Sequence, residues 1–192
     1  KRCKHAIDGT LTYQNYGKEN QAIYSVSRGE LNQRLMNISD ENENVEFFFD
    51  RKCLDVDLKT NTLSFLNSKT GEKELHTFDK IFATDGTYSA VRTRMQKSTV
   101  FNYTQAYLDH GYKELYIPAN ADGTHKMEKN CLHIWPRGEF MMIALPNLDG
   151  SFTCTLFFPM KGEISFESLK TEQDVMNFFE KSFPDAIPLM PD

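Results

Sequence analysis

The second half of the chain alternates apolar and polar side chains over four short segments. Alternation with a period of two is typical of strands whose two faces meet different surroundings. Turn sequences containing Gly, Pro and Asn separate the last three segments, which favours hairpin connections. We therefore predict an antiparallel meander with strands at residues 110–118, 132–135, 140–145 and 152–158.

A helical pattern marks the end of the chain. Residues 171–183 carry apolar side chains at helical spacing, and Pro184 follows directly. Proline has no backbone N–H to donate, so it ends a helix. The pattern predicts an amphipathic helix whose buried side chains are Val175, Phe178, Phe179 and Phe183.

The first half mixes extended segments with turns. Residues 1–26 are predicted to be extended around bends at Asp8-Gly9 and Tyr16-Gly17, because these residue types favour turns. Alternation on both sides of a polar turn predicts a β-hairpin, and neighbouring apolar runs predict further strands. The predicted segments are the hairpin of 53–58 and 62–67, a third strand at 75–78, and short strands at 45–49 and 80–83.

Two helices are predicted in the first half. Ser27 and Glu30 have capping-box spacing, which predicts a helix over residues 28–37. Its apolar side chains Leu31, Leu35 and Met36 are expected to form a buried stripe. Ser89 is predicted to cap a second helix that begins at Ala90. Together the patterns indicate a mixed fold, α+β or α/β, with a helix-containing part at 1–100 and a β-sheet part at 101–192.

Composition excludes several classes of protein. The chain has 192 residues, 40% hydrophobic and 26% charged, which suits one globular domain or two small ones. Its net charge of −5 argues against a general nucleic-acid surface, since such a surface neutralises phosphates with cations. No apolar stretch approaches the roughly 20 residues that span a bilayer. The widely spaced cysteines are expected to be reduced, buried thiols, and they are Cys3, Cys53, Cys131 and Cys154. No histidine pair has zinc-site spacing, so no metal site is predicted.

The stretch from Ile81 to Arg92 contains the most informative local chemistry. An acidic residue and a glycine, Asp85 and Gly86, follow a predicted strand and precede a predicted helix. In open α/β folds ligands collect at that edge of the sheet. The carboxylate can accept hydrogen bonds from ribityl or ribose hydroxyls, and glycine lets the backbone approach a pyrophosphate. The plain alternative is that Asp85-Gly86 is only a turn.

The same stretch resembles the Asp-Gly motif of flavoprotein aromatic hydroxylases, in which strand, Asp-Gly and Ser-x-Val-Arg recur together. Residues 25–32 are similar to the segment in which that family's arginine meets the flavin, and this places Arg28 there. Without the family, Arg28 would be interpreted as a surface cation of a helix. Four further stretches resemble the branch of the family that hydroxylates kynurenine, namely 107–115, 132–147, 151–157 and 183–188.

The resemblance implies a fold, cofactors and a substrate. Residues 1–100 would be part of an FAD-binding domain, joined at 101–192 to a mainly antiparallel β-sheet substrate domain. NADPH would reduce FAD, and O2 would react with the reduced flavin to form a C4a-hydroperoxide. This oxidant would transfer its distal OH to the ring of L-kynurenine, ortho to the amine. Because the flavin carries the chemistry, no protein acid or base is assigned. The implied FAD contacts are Arg28, Cys53, Asp85, Gly86 and Ala90.

The implied substrate contacts combine two polar residues with an apolar floor. Arg2 and Tyr16 would hold the substrate carboxylate, since a guanidinium offers a planar fork of donors and a phenol adds a neutral donor. On sequence alone they are a terminal arginine and a tyrosine in a turn. The ring would lie against Leu132, Met141, Ile143, Leu145 and Phe157.

Other family features do not occur within residues 1–192. These are the opening GxGxxG motif, a later Gly-Asp segment and a tail that attaches the protein to the mitochondrial outer membrane. We therefore expect the isolated chain to bind flavin poorly or not at all. Two alternative functions stay open, a flavin hydroxylase acting on a phenolic acid and a non-catalytic β-rich binding module.

Overall fold

The computed structural model describes residues 1–18 and 21–190. Its elements include nine strands, three α-helices and a 3-10 helix at Ile187–Leu189. In chain order they are β1 (Arg2–His5), β2 (Leu11–Gln14), α1 (Arg28–Asp40), β3 (Arg51–Asp57), β4 (Thr62–Asn67), β5 (Lys73–Thr77), α2 (Ala90–Met95), β6 (His110–Ile117), β7 (Leu132–Arg137), β8 (Phe140–Pro146), β9 (Phe152–Pro159) and α3 (Glu172–Ser182). The mixed fold with antiparallel sheets is therefore confirmed.

The chain divides into two compact units. Lys1–Arg34 and Tyr107–Asp192 form one, called here the sheet unit, and Leu35–Ala106 form the other, called the hairpin unit. The predicted division at residue 100 differs from this one because β1 and β2 belong to the sheet of the second half. No helix in the described part of the chain is long and apolar enough to cross a membrane.

The sheet unit is built on a six-stranded sheet in the order β2-β1-β7-β8-β9-β6. The predicted meander is present: β7, β8 and β9 are antiparallel neighbours, and β6 pairs antiparallel with β9. The turn at Asp8-Gly9 joins β1 to β2 as predicted, with Gly9 at φ 82°. In contrast, β1 runs parallel to β7, with Arg2 opposite Leu132.

One face of this sheet is a packed core. Alternate residues of β7, β8 and β9 point to that face, and Trp135, Met142 and Phe158 have no exposed surface. Side chains from α3 and the segment after it cover them, with Phe178 and Phe183 buried. Burying one such side chain contributes about 1.5–3 kcal/mol. The core further contains Ile117, Ala144, Phe152, Cys154, Leu156 and Ala186.

The predicted terminal helix exists with one error in its buried face. Thr171 and Asp174 form the capping box that begins α3. Phe178 and Phe183 are buried, and Phe179 packs partly buried against them. Val175 is 38% exposed, so its predicted burial is wrong. It lies at the margin of the apolar stripe, where helical spacing alone does not separate contact from exposure.

The hairpin unit contains an antiparallel sheet in the order β3-β4-β5. The predicted hairpin is confirmed, with Asn61 in its turn at φ 52°. β5 is the predicted third strand. Helix α2 packs against β3, and Val56, Leu63 and Val91 form the small core between them.

Three predictions in the first half are wrong. Residues 45–49 and 80–83 form neither strand nor helix in the described part of the chain. Helix α1 is present, yet none of its thirteen residues, all described, is buried. Leu31 and Leu35 are 44% and 54% exposed, and Phe82 is 88% exposed. Helical periodicity shows which side chains could be buried, but their burial also needs a surface to pack against. A strand likewise needs a neighbouring strand to accept and donate its backbone hydrogen bonds.

Candidate functional site

The side chains on the second face of the six-stranded sheet are half-buried or exposed, and we call it the open face. In the ladder Arg2 stands opposite Leu132, and Met141 stands opposite Phe157. Residues paired in register share a face, and successive residues alternate between faces. Because His133, Met142 and Ala144 are buried on the packed face, their neighbours in sequence point to the open face. The structure thus brings together Arg2 and all five residues of the predicted floor, Leu132, Met141, Ile143, Leu145 and Phe157.

The open face contains residues that sequence reasoning did not select. Ile134 stands opposite Ile143, and Thr155 stands beside Ile143 on β9. The Tyr112 ring of β6 lies 6.5 Å from that of Phe157, centre to centre. Period-two alternation would have found them, because each differs from a selected residue by two positions or stands opposite one.

Arg2 contacts Tyr16, the other residue predicted to bind a carboxylate. The guanidinium carbon lies 4.4 Å from the centre of the Tyr16 ring. A cation over an aromatic face is stabilised by about 0.5–1 kcal/mol when exposed, and the guanidinium N–H groups still point outward in its plane. The contact combines a planar cation with a phenol at one corner of the open face.

The sheet unit contains a groove of about 490 Å³ whose lining includes Lys1 but neither Arg2 nor Tyr16. Leu132 and Leu145 of the predicted floor line it. His125 also lines it and donates a hydrogen bond from Nε2 to the backbone oxygen of Asn147 at 2.9 Å. Other parts of the wall come from residues 22–25 and 129–131. The groove extends the floor from the sheet toward the segment that precedes α1.

In the hairpin unit, Asp85 and Gly86 lie exposed at the turn before α2. The Asp85 carboxylate accepts a hydrogen bond from the backbone N–H of Ala90 at 2.8 Å. Hydrogen bonding by Ser89 is the largest cause that lowers the pKa of Asp85, with backbone N–H groups adding to it. The carboxylate is therefore ionised at neutral pH. Gly86 has φ 74°, and a Cβ there would meet no atom within 4 Å.

Arg92 holds this turn in place, a role that the sequence motif did not reveal. Its guanidinium donates from Nη1 to the backbone oxygen of Gly86 at 3.0 Å and from Nη2 to that of Thr87. Its backbone N–H donates to Ser89 Oγ at 2.9 Å, which is the predicted helix cap. The backbone turn runs from Gly86 to Ser89, whose N–H donates to the Gly86 oxygen at 3.2 Å, and the ionised Asp85 carboxylate lies exposed before the helix. An FAD contact at Asp85 and Gly86 stays a prediction.

The remaining predicted cofactor residues fall in both units. Arg28 is the exposed first residue of α1, and Ser27 Oγ accepts a hydrogen bond from the Glu30 N–H at 3.3 Å. Arg28 belongs to the sheet unit, whereas Cys53, Asp85, Gly86 and Ala90 belong to the hairpin unit. Cys53 is half-buried in β3 beside a bulge, and burial is the main cause that raises its pKa.

A buried polar cluster lies on the packed face below β1. Ligand atoms of Cys3, His5 and His133 lie within 4.8 Å of one another. However, His5 Nε2 and His133 Nδ1 are 2.9 Å apart. A tetrahedral zinc with bonds of about 2.0 Å would separate two nitrogen ligands by about 3.3 Å. The spacing is that of a hydrogen bond between the rings.

Comparison with known proteins identifies the class first. No family model matches the chain. Curated relatives that match it end to end are monooxygenases. A protein of Flavobacterium johnsoniae is 54% identical over 192 residues, which are 100% of this chain and 43% of that relative. A protein of Dictyostelium discoideum is 49% identical over the same length, 41% of its own. One of Sus scrofa is 42% identical over 189 residues, 98% of this chain and 39% of its own.

These relatives are kynurenine 3-monooxygenases. The chain is similar to a segment of these enzymes and spans about two fifths of their length, so the predicted resemblance is confirmed. Among solved structures, tetracycline destructase Tet(51) matches 95% of this chain and 43% of its own, with 15% identity and a TM-score of 0.48. A likeness at that level defines neither fold nor function.

Proposed function

We propose that this chain supplies the substrate floor, and part of the cofactor site, of an FAD- and NADPH-dependent monooxygenase that converts L-kynurenine to 3-hydroxykynurenine. One observation carries the proposal. Six residues predicted to contact the substrate, Arg2 and the five apolar residues, lie on one open sheet face, and the seventh, Tyr16, contacts Arg2. Strand register alone places the five apolar residues on one face, so the informative part is the parallel pairing of β1 with β7, which adds Arg2 to that face.

Arg2 and Tyr16 bind the amino-acid end of the substrate. A carboxylate accepts two parallel hydrogen bonds from a guanidinium, and this paired geometry fixes its orientation. The Tyr16 ring beneath the guanidinium limits the rotamers of Arg2 and so reduces the entropy lost on binding. The phenolic O–H is a neutral donor for the same group.

The apolar floor binds the aromatic ring and excludes water. Ile143 and Leu145 lie two residues apart on β8, and Phe157 stands across from Met141 on β9. A flat apolar surface places the ring at a defined height above the sheet. Exclusion of water protects a reactive oxidant from unproductive breakdown.

The cofactor residues fit a flavin nucleotide in their chemistry. Ionised Asp85 can accept hydrogen bonds from ribityl hydroxyls, and the open space at Gly86 admits a close ligand. Ala90 and the main chain at Cys53 complete the proposed set of the hairpin unit, and Arg28 is proposed separately as an FAD contact of the sheet unit. When bound and reduced by NADPH, FAD supplies the activated oxygen, and this chain's residues orient the ring that receives it.

Assay of the protein expressed from the whole reading frame that contains this chain tests the proposal. We expect kynurenine to stimulate NADPH oxidation with formation of 3-hydroxykynurenine. Arg2→Ala should raise KM for kynurenine by about 100-fold with FAD still bound, because the carboxylate loses its charged partner. Lys161→Ala, at an exposed loop of the same unit, is the matched control.

Three outcomes would contradict the proposal in different ways. Turnover of phenolic acids without turnover of kynurenine would support the alternative hydroxylase. Unchanged kinetics in Arg2→Ala would remove the carboxylate assignment. Absence of bound flavin and of any NADPH oxidation would favour the non-catalytic binding module.

A further inference from the structure

Beneath the open face, a chain of three hydrogen bonds joins two histidines to an aspartate. His133 Nε2 lies 2.9 Å from the backbone oxygen of Glu128, and His133 Nδ1 lies 2.9 Å from His5 Nε2. His5 Nδ1 lies 2.7 Å from Asp185 Oδ2. Both imidazoles are buried, with 5% of His5 and 2% of His133 exposed. The sequence positions of His5 and Asp185 differ by 180 residues.

The geometry determines how many protons the cluster holds. A carbonyl oxygen only accepts, so His133 Nε2 carries hydrogen. If His133 is neutral, its Nδ1 accepts from His5 Nε2, and His5 Nδ1 then has no hydrogen of its own for Asp185. A third proton is therefore needed between His5 Nδ1 and Asp185. If His133 is instead protonated on both nitrogens, it donates to His5 Nε2 and His5 Nδ1 donates to Asp185, so the three residues again hold three protons on these atoms. His5, His133 and Asp185 together therefore hold one proton more than two neutral rings and a carboxylate, and carry no net charge.

Neutrality suits the surroundings of the cluster. The His5 ring stacks on the Trp135 ring with centres 4.0 Å apart, and Trp135 Nε1 donates to Asp185 Oδ2 at 2.8 Å. Asp185 Oδ1 is buried and has no hydrogen-bond partner among the described residues. An unpaired buried oxygen is less unfavourable in a neutral cluster than in one with a net charge. Burial lowers the pKa of both imidazoles and so opposes an added proton on either ring; the 2.7 Å spacing of His5 Nδ1 and Asp185 Oδ2 is the observation that requires a proton between them.

The cluster holds β1, the strand that carries Arg2. β1 has four residues and pairs with β7 at only three of them, Arg2, Cys3 and Lys4, in the described part of the chain. His5 is the last residue of β1, and its side chain bonds to β7 through His133. Its backbone oxygen accepts from Arg137 Nη1 of β7 at 2.9 Å. Arg2 lies three residues earlier, on the opposite face.

We propose that His5 is a positioning residue for Arg2: its proton-sharing cluster with His133 and Asp185 fixes β1 against β7 and so sets where the guanidinium meets the substrate carboxylate. The inference rests on the proposed function for its kinetic consequence. Its structural part, the neutral three-residue cluster, does not depend on any activity.

NMR of the protein expressed from the whole reading frame tests the cluster directly. We expect a deshielded, slowly exchanging proton that correlates with His5 Nδ1 at neutral pH and that Asp185→Asn abolishes. The amide oxygen of asparagine could accept from both Trp135 and His5, but asparagine has no negative charge to offset the third proton, so the buried cluster would carry a net positive charge and should lose that proton. Absence of that proton in wild type, with both rings neutral, would overturn the proton count.

Kinetics of the protein from the whole reading frame test the positioning role. His5→Gln should raise KM for kynurenine by about tenfold and change kcat less than about twofold. In an Arg2→Ala background, His5→Gln should cause no further rise in KM for kynurenine, because His5 affects KM only by positioning Arg2. His76→Gln, at an exposed site of the hairpin unit, is the control.

Each outcome has one interpretation. Additive effects of His5→Gln and Arg2→Ala would show a general structural role and overturn the positioning role. If His5→Gln does not fold, His133→Gln replaces it. This variant should likewise raise KM for kynurenine in the wild-type background and cause no further rise in the Arg2→Ala background. No kynurenine turnover in wild type would refute the proposed function, while the NMR result would stand separately.

Discussion

The guanidinium of Arg2 stacks on the ring of Tyr16, at 4.4 Å from its centre, where β1 begins on the open face. These residues are fourteen positions apart in sequence, and the hairpin of β1 and β2 brings the chain back so that they meet. The contact has two separate effects: it orients the Arg2 cation, and it places the Tyr16 O–H beside that cation as a neutral hydrogen-bond donor.

Substitution of Tyr16 separates those effects. Tyr16→Phe keeps the ring under Arg2 and removes the O–H, so we expect KM for kynurenine to rise by about fivefold. Tyr16→Ala also removes the stacking and should raise KM by a further factor of about three. Steady-state kinetics of the protein from the whole reading frame measure both. Equal effects of the two variants would show that the ring contributes nothing beyond its hydroxyl.

Two adjacent methionines test the division of the sheet into an open and a packed face. Met142 has no exposed surface, whereas Met141 is 40% exposed. Met142→Ala should lower the free energy of unfolding by about 2–5 kcal/mol because it leaves a cavity. Met141→Ala should lower it by less than about 1 kcal/mol. Urea unfolding of the 192-residue chain compares them, and a larger loss for Met141→Ala would reverse the assignment of the faces.

The cysteines should differ in reactivity toward a maleimide or iodoacetamide. Burial raises the pKa of the Cys154 thiol to about 12, and its side chain has no exposed surface. The thiolate is the reactive form. At pH 8 the native chain should therefore be modified first at half-buried Cys53, with Cys154 unmodified until the protein unfolds. Peptide mass spectrometry gives the order, and early modification of Cys154 would contradict its burial.

Acid should weaken the start of α3. Hydrogen bonds from Thr171 lower the pKa of Asp174 below its ordinary value. A carboxylate with a lowered folded-state pKa stabilises the protein above its unfolded-state pKa, and this contribution disappears as pH falls through the folded-state value. Asp174→Asn should thus lower the urea midpoint at pH 7 and make no difference at pH 2. Glu180→Gln, exposed on the same helix, is the control.

Most secondary structure followed from local pattern. The meander, the first hairpin and the β3–β4 hairpin each use a period of two and a turn that short sequences encode. The caps at Ser89 and Thr171 are likewise local, because each bonds to a residue three positions along. The identities of the candidate site residues came from resemblance, and alternation alone placed Met141, Ile143 and Leu145 on one face.

Only the tertiary structure determined the features that depend on contacts between residues distant in sequence. Residues 45–49 and 80–83 have strand-like composition, yet a ladder needs a neighbour that local sequence does not specify. The parallel pairing of β1 with β7 joins Arg2 to Leu132 across 130 positions, and only this pairing places the cation on the apolar floor. The cluster of His5, His133 and Asp185 likewise exists only after folding, because three distant segments must meet before one proton can be shared between them.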